Sequence, residues 1–400
     1  MSKNKLTWKL PPWKGGKGGR PFEFGQELDA EGRPWGRPFE FGQELDAEGR
    51  PWGRPFEFEQ ELDEEHPYPL KKNFLYTCTM QSYSHLLALI NAQLAQTNYG
   101  ENPPELYDPI TYMMSLGGKR LRPVLVLMAC NLYKEEVKDA LPAAIAIEVF
   151  HNFTLVHDDI MDNAPLRRGK ETVYKKWSMP IAILSGDMML IKAIDILAQT
   201  ENTDFKKLLA VFNKAAAEVC EGQQIDMNFE TEASVSHEQY IEMITLKTAV
   251  LLGASLQLGA LIGGASNADA EHIYEFGKNI GIAFQIQDDI LDSFGETAQV
   301  GKMIGGDIAA NKKTLLHIEL LASVHKDDQI ALNQMLQLEA NEKIPGILKL
   351  YSKYKIKEFA EAQKEQYLSK AFNHLKALSV ETSKTEVLAN MAKELMERMS

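Results

Sequence analysis

The chain has 400 residues, is 44% hydrophobic and 25% charged, and carries a formal net charge of -13, the composition of a globular protein large enough for a sizeable core. The acidity excludes broad electrostatic attraction to nucleic acid or anionic lipid, so an anionic ligand needs a local basic patch or metal ions. Cys78, Cys130 and Cys220 are odd in number and far apart, which excludes a disulfide framework or a C-x-x-C zinc pattern and fits a reducing cytosol.

The first segment, "MSKNKLTWKLPPWKGG", lacks the apolar stretch of a signal peptide, and no uninterrupted apolar run reaches membrane-spanning length, so no integral membrane segment is expected. "RPFEFGQELDAEGRPWG" then fills residues 20–36, recurs identically at 37–53 and returns in divergent form at 54–70. A 17-residue period with Gly and Pro in every copy suits neither helix nor strand, and three short copies bury little. Residues 1–79 are therefore expected to be a low-complexity, disordered extension, and residues 80–400 one domain.

From Met80 onward the pattern is helical. "SYSHLLALINAQLAQ" keeps apolar residues three and four apart. "GGKRLRP", at 117–123, reads as a loop, with paired glycines breaking one helix and Pro123 opening the next. "ALPAAIAIEVFHNFTLVHDDIMD", "AILSGDMMLIKAIDILAQ", "DFKKLLAVFNKAAAEVCEGQQIDM", "SHEQYIEMITLKTAVLLGASLQLGALIGG" and "DAEHIYEFGKNIGIAFQIQDDILDSFG" continue the helical period, and no alternating strand run competes. Several are apolar on more than one face, as in a large bundle. The expected fold is one all-α domain.

Two of these helices end alike, in "HDDIMD" and, about 130 residues later, "QDDILD". Asp158 and Asp162, like Asp288 and Asp292, are four apart and share a helical face. Clustered carboxylates at a helix C-terminus repel one another and the dipole, so a cation must compensate. All-oxygen ligands favour magnesium or manganese, and magnesium commonly binds a few carboxylates together with substrate phosphates. Basic residues agree: Lys119, Arg120 and Arg122 at the glycine loop, Arg167 and Arg168 after the first cluster, Lys247 in a helix, and Lys302 and Lys312 after the second. Any one of them alone is more simply a solvated surface charge. Together they define an anion site.

The set "GGKRLRP", "HDDIMDNAPLRRG", "GQQID", "KTA", "FQIQDDILD" and "GKMIGGDI", in that order, resembles the polyprenyl synthetases, or trans isoprenyl diphosphate synthases, across residues 80–400. The resemblance implies an all-helical fold of the isoprenoid synthase type around a central cavity, a homodimer, and three magnesium ions per active site, with manganese able to substitute. It implies Asp158, Asp162 and Asp288 as principal metal ligands and Asp159, Asp289 and Asp292 as supporting ones. Arg167, Lys247 and Lys302 would hold an allylic diphosphate, with Thr248, Gln285 and Lys312 nearby; Lys119, Arg122, His151 and Arg168 would hold isopentenyl diphosphate. Gln223 and Asp226 are weaker candidates, because a buried hydrogen bond would explain them equally well. The terminal "ELMERMS" offers only Arg398 where some relatives end in a basic closing tail.

The implied reaction is head-to-tail condensation: the allylic C–O bond ionises, the isopentenyl double bond attacks the cation, and a proton leaves. A terpene cyclase normally carries an Asn/Ser/Glu motif in place of "QDDILD", and squalene-type synthases lack the Gly-Gly-Lys loop. A non-catalytic partner subunit that binds a prenyl diphosphate typically loses metal or diphosphate groups, and none is missing here. Product length depends on residues below the first cluster. Phe153 and Thr154 lie roughly 6 to 8 Å beneath Asp158 at about 1.5 Å of rise per residue, with Phe150 one turn deeper. In the family it resembles, aromatics at both positions go with fifteen-carbon products and small residues at both with much longer ones, so the resemblance implies that Phe153 beside the smaller Thr154 favours geranylgeranyl diphosphate over farnesyl diphosphate. Simple core packing is the alternative for both aromatics.

Overall fold

A computed structural model describes residues 80–295 and 305–397. The repeats at 20–70, Lys302 and Arg398 lie outside the described residues. Two helices lead in, α1 (Tyr83–Gln96) and α2 (Pro104–Ser115), followed by α3 (Leu121–Tyr133) and the long α4 (Leu141–Met161). A two-residue antiparallel hairpin, Leu166–Arg167 (β1) with Lys170–Glu171 (β2), then interrupts the helical pattern. The short α5 (Val173–Lys176) precedes α6 (Met179–Leu197), α7 (Phe205–Thr231) and α8 (His237–Ile244). A π-helical turn, Thr245–Ala249, joins α8 to α9 (Val250–Gly263), and α10 runs over Asn267–Phe294. Six further helices complete the described chain: α11 (Gly306–Ala309), α12 (Leu315–Ser323), α13 (Lys326–Met335), α14 (Ala340–Lys353), α15 (Ile356–Lys376) and α16 (Thr382–Glu397).

The described chain is thus all-α, with the hairpin as its one pair of strands among the described residues. The most extensive contacts join α3 to α9, α4 to α6, and α10 to both α9 and α15. Helices α3, α4 and α9 are buried on nearly every face, which is why their sequences read as apolar all round. Close approach is built in: a Cβ on Gly259 of α9 would lie 1.9 Å from the Val126 carbonyl oxygen of α3, so only glycine lets those backbones meet.

Two segments, Lys138–Met161 and His237–Gly263, are by length and composition apolar enough to cross a membrane, although their longest uninterrupted apolar runs are short. Within the fold 67% and 72% of their apolar windows are buried against neighbouring helices, so burial in a large bundle accounts for the composition. The core falls into two clusters. One gathers α1–α6, most of α7, α9, the first part of α10, the end of α15 and α16; the other gathers the end of α7, α8, the end of α10, α11–α14 and the start of α15. The helix that carries the first aspartate motif therefore lies in one cluster, whereas the helix that carries the second begins in that cluster and ends in the other.

Candidate active site

Helix α4 carries buried apolar side chains as far as Val156, and its last turn then turns polar. Asp158 keeps 23% side-chain exposure, and Asp162 caps the helix, its backbone N–H donating to the Asp158 carbonyl. Burial, then the Asp158 charge, raises the Asp162 pKa. Asp159 faces elsewhere. It is 1% exposed, and both its oxygens accept from Arg167 Nε at 2.9 Å, with Arg167 Nη2 2.8 Å away. Burial pushes the Asp159 carboxyl up while Arg167 opposes the shift. The hairpin exists at this point to present Arg167, whose Nη2 is also 3.7 Å from Asp158. Asp159 and Arg167, assigned from the sequence to metal and diphosphate, are here partnered with each other.

Lys247 stands on the π-helical turn. A Cβ on Gly222 of α7 would fall 2.2 Å from the Lys247 backbone nitrogen, so the glycine of "GQQID" is what lets α7 touch that turn. One helical turn further along α7, Asp226 accepts from Lys247 Nζ at 2.6 Å, and Asp158 lies 3.7 Å from the same ammonium. Mid-helix π turns commonly mark functional sites, because the extra residue re-aims a side chain.

The second motif ends α10. Asp288 is half-buried. Asp289 is buried, accepting from the Tyr240 hydroxyl and from the Leu315 N–H at 3.3 Å. Burial pushes its pKa up to about 7 against the lowering effect of Tyr240. Asp292 accepts from the Asp307 N–H at 3.0 Å and so holds the start of α11. Desolvation works against charge on Lys312, but the carboxylates of Asp307, Asp226, Asp289 and Asp162 outweigh it and raise its pKa. A crevice of about 60 Å³ is lined by Asp226, Lys247, Thr248, Gln285, Asp289 and Lys312.

The glycine loop is organised from beneath. Arg120, at φ 50°, sends its guanidinium inward to a buried ion pair with Glu148 and to the Met114 carbonyl at 2.8 Å. Gly118, at φ 137°, makes room for Arg168, since a Cβ there would meet the guanidinium at 2.9 Å. Arg168 in turn donates to the Gly117 carbonyl. The loop ends at Arg120, so Arg122 belongs to the first turn of α3 rather than to the loop. Its Nη1 is 3.3 Å from His151 Nε2. Arginine only donates, so His151 Nε2 accepts and the ring proton of the neutral form sits on Nδ1. Burial, then Arg122, Arg168, Arg167 and Arg120, drives the His151 pKa well below its ordinary value. Arg122 Nε is buried without a hydrogen-bond partner, and burial lowers that group's pKa to about 10.

A cavity of about 310 Å³ brings together some of these groups. Arg122, His151, Asp158, Gln223, Lys247 and Thr248 form its polar part, and Phe153, Leu155, Met161, Val219, Met227 and Leu251 its apolar part. Thr154 also lines it, its hydroxyl donating to the His151 carbonyl at 2.8 Å. Phe150 does not. It is 1% exposed and packs behind Phe153 with ring centroids 5.5 Å apart. Lys119 lines a separate cavity of about 550 Å³ between α1, the start of α3 and α16. Sequence reasoning missed Glu148, Tyr240 and Asp307. A lone acid within "AIAIEVF" signalled Glu148, and "GGDI" contained Asp307, but nothing local marks Tyr240.

Residues 103–354 match the polyprenyl synthetase family. The chain is 44% identical over 237 residues to a geranylgeranyl diphosphate synthase of Methanosarcina mazei, covering 59% of this chain and 72% of that one. A solved geranylgeranyl pyrophosphate synthase superposes with a TM-score of 0.76 at 42% identity, covering 80% of this chain and all of that one. A Corynebacterium glutamicum geranylgeranyl pyrophosphate synthase, complexed with calcium and isoprenyl diphosphate, superposes at 0.68 with 26% identity, covering 80% and 96%. An all-helical fold with two aspartate-rich helix ends, the first of which brings Asp158 to a cavity of mixed polarity, is that of a prenyl-diphosphate-handling protein. The chain belongs to the polyprenyl synthetase family.

Proposed function

We propose that the protein is a prenyltransferase that condenses isopentenyl diphosphate with allylic diphosphates, head to tail, to a short-chain product. The residues 80–400 form its catalytic domain. One observation carries the proposal: a single cavity is lined both by charged and polar groups, Asp158, Lys247, Arg122 and His151, and by apolar side chains, Phe153, Val219 and Leu251. A prenyl diphosphate has the same mixed polarity. Relatives named geranylgeranyl diphosphate synthase and geranylgeranyl pyrophosphate synthase support geranylgeranyl diphosphate as product.

The donor set suits magnesium. Asp158, Asp162 and Asp288 supply hard oxygens, while among the described residues no three His, Cys, Asp or Glu side chains close tightly enough to cage an ion alone. That fits a cation that keeps waters and shares substrate phosphates, and the calcium-bound relative supports divalent metal use. When bound, magnesium would neutralise the leaving diphosphate.

The chain's own groups do the rest. Lys247 and Lys312 provide ammonium charge beside the carboxylates, and Lys302 is assigned with them from the sequence. Arg122, with its unpartnered buried Nε, and neutral His151 offer a donor and a ring for the second diphosphate, beside Arg168. The apolar wall excludes water that would quench a cation. A homodimer is supported by α6, where Met179, Ile183, Leu184 and Ile191 are exposed large apolar side chains. Free Cys130 and Cys220 support a reducing compartment.

The test is a magnesium-dependent assay of purified protein with isopentenyl diphosphate and each allylic primer. Elongated product with at least one primer is expected. Folded protein giving none with any primer overturns the proposal in favour of a non-catalytic binding subunit.

A further inference from the structure

We infer that His157, a residue with no part in the chemistry proposed above, sets product length by bracing Phe153 against α6; the inference rests on the prenyl-transfer reading. His157 follows Phe153 by one turn of α4. Their rings meet edge to face, with centroids 4.9 Å apart and planes at 65°, and both residues line the 310 Å³ cavity.

Behind His157 there is no room to retreat. A Cβ on Gly186 of α6 would lie 2.3 Å from His157 Nε2 and 2.6 Å from Cδ2, so the imidazole occupies the space of the missing side chain. The Nε2 atom is 3.2 Å from the Ile183 carbonyl oxygen. A carbonyl only accepts, so Nε2 carries the proton and donates. On the other side of Phe153 stands Phe150, 5.5 Å away, and behind it Phe212 of α7, 5.3 Å from Phe150. Four rings therefore run in a row from α7 towards α6, Phe212, Phe150, Phe153 and His157, and the row ends against Gly186. Phe153 sits within the row, facing the cavity. Its position is fixed only as firmly as the ends of the row, and the α6 end is held by the hydrogen bond to Ile183, by the Asp187 carboxylate 3.8 Å from the same Nε2 and by the missing side chain of Gly186.

Changing either His157 or Gly186 should move Phe153 in a stated direction. His157→Ala opens space beside the Phe153 ring, which then swings out of the cavity. Gly186→Ala pushes the imidazole towards Phe153 and into the cavity. With dephosphorylated products chromatographed at matched conversion, His157→Ala is expected to lengthen the principal product by at least one five-carbon unit, and Gly186→Ala to shorten it or raise the share of the shorter product. A general loss of stability lowers yield but does not move the length distribution. Because His157 acts through Phe153, the double variant Phe153→Ala/His157→Ala should give products no longer than Phe153→Ala alone.

Failure of the two readings can be told apart. Wild-type protein without elongated product removes the prenyl-transfer reading itself. Active wild type, with the same product distribution in both single variants, overturns the role of His157. If His157→Ala loses turnover through its neighbour Asp158, Gly186→Ala decides alone: a shift to shorter products supports the brace, and an unchanged distribution overturns it.

Discussion

Glu148→Ala tests the foundation of the glycine loop. Glu148 is 2% exposed and pairs with Arg120, itself 7% exposed; it also accepts from Asn152 Nδ2 at 3.1 Å. Removing the carboxylate leaves a buried guanidinium with only the Met114 carbonyl as partner, and the loss of one member of such a pair costs about 3–5 kcal/mol. The pair's net worth is smaller than that cost, because both ions were desolvated to form it. Arg120→Met/Glu148→Leu, with apolar groups of similar size, should therefore recover most of the lost stability. Urea unfolding of the four members of the cycle gives both numbers. Arg120 sits between the loop and Arg122, so Glu148→Ala should also raise the KM for isopentenyl diphosphate more than that for the allylic primer. A loss below about 1 kcal/mol in the single variant, at the level of a surface ion pair, or a double variant no better than the single, would refute the reasoning.

Asp158→Ala or Asp288→Ala should remove most turnover while far-ultraviolet circular dichroism stays at the wild-type level; near wild-type turnover in either would put the metal site elsewhere. A chain beginning at Met80 should keep fold and activity, measured by thermal unfolding and product yield, because every matched motif lies beyond that point. Burial, then Lys313, lowers the His317 pKa to about 4 from 6.5. Between those values the unfolded chain binds the proton and the native one does not, so this stability is complete above about pH 6.5 and is lost as pH falls towards 4. His317→Gln should flatten the stability profile in that window.

The all-α fold was legible because helices buried on nearly every face leave long apolar stretches at helical spacing, as α4 and α9 do. Both aspartate motifs were legible for the same reason: charge at the end of such a helix has no core function. Orientation was not. Asp158 and Asp159 are adjacent in sequence, yet one faces the cleft and the other is buried against Arg167, since successive residues on a helix point about 100° apart. Tyr240 shows a second limit. It reaches Asp289 only because α8 packs across the end of α10, and no local pattern records that contact. Lys119 shows a third, because sharing a loop with Arg120 did not give the two side chains a common cavity.

The resident ammonium groups lead to a prediction about order of binding. Lys247 lies 2.6 Å from Asp226 and 3.7 Å from Asp158, and Lys312 is surrounded by Asp307, Asp226, Asp289 and Asp162. Without ligand, these two lysines already neutralise part of the acidic cluster, so magnesium entering alone competes with positive charge. A diphosphate changes the balance, drawing the ammonium groups to its own oxygens and adding oxygens for the metal. Magnesium and diphosphate should therefore bind with positive coupling. By linkage each raises the other's affinity by the same factor, about 5- to 150-fold for a coupling of about 1–3 kcal/mol. Calorimetric titration with magnesium, in the presence and absence of inorganic pyrophosphate and corrected for the metal–pyrophosphate complex in solution, measures that factor. Lys247→Met should weaken the coupling from the magnesium side, since metal then enters Asp158 and Asp226 without a competitor. Equal magnesium affinity with and without pyrophosphate, in wild type and variant alike, would mean that the lysines do not occupy the cation positions in the ligand-free protein.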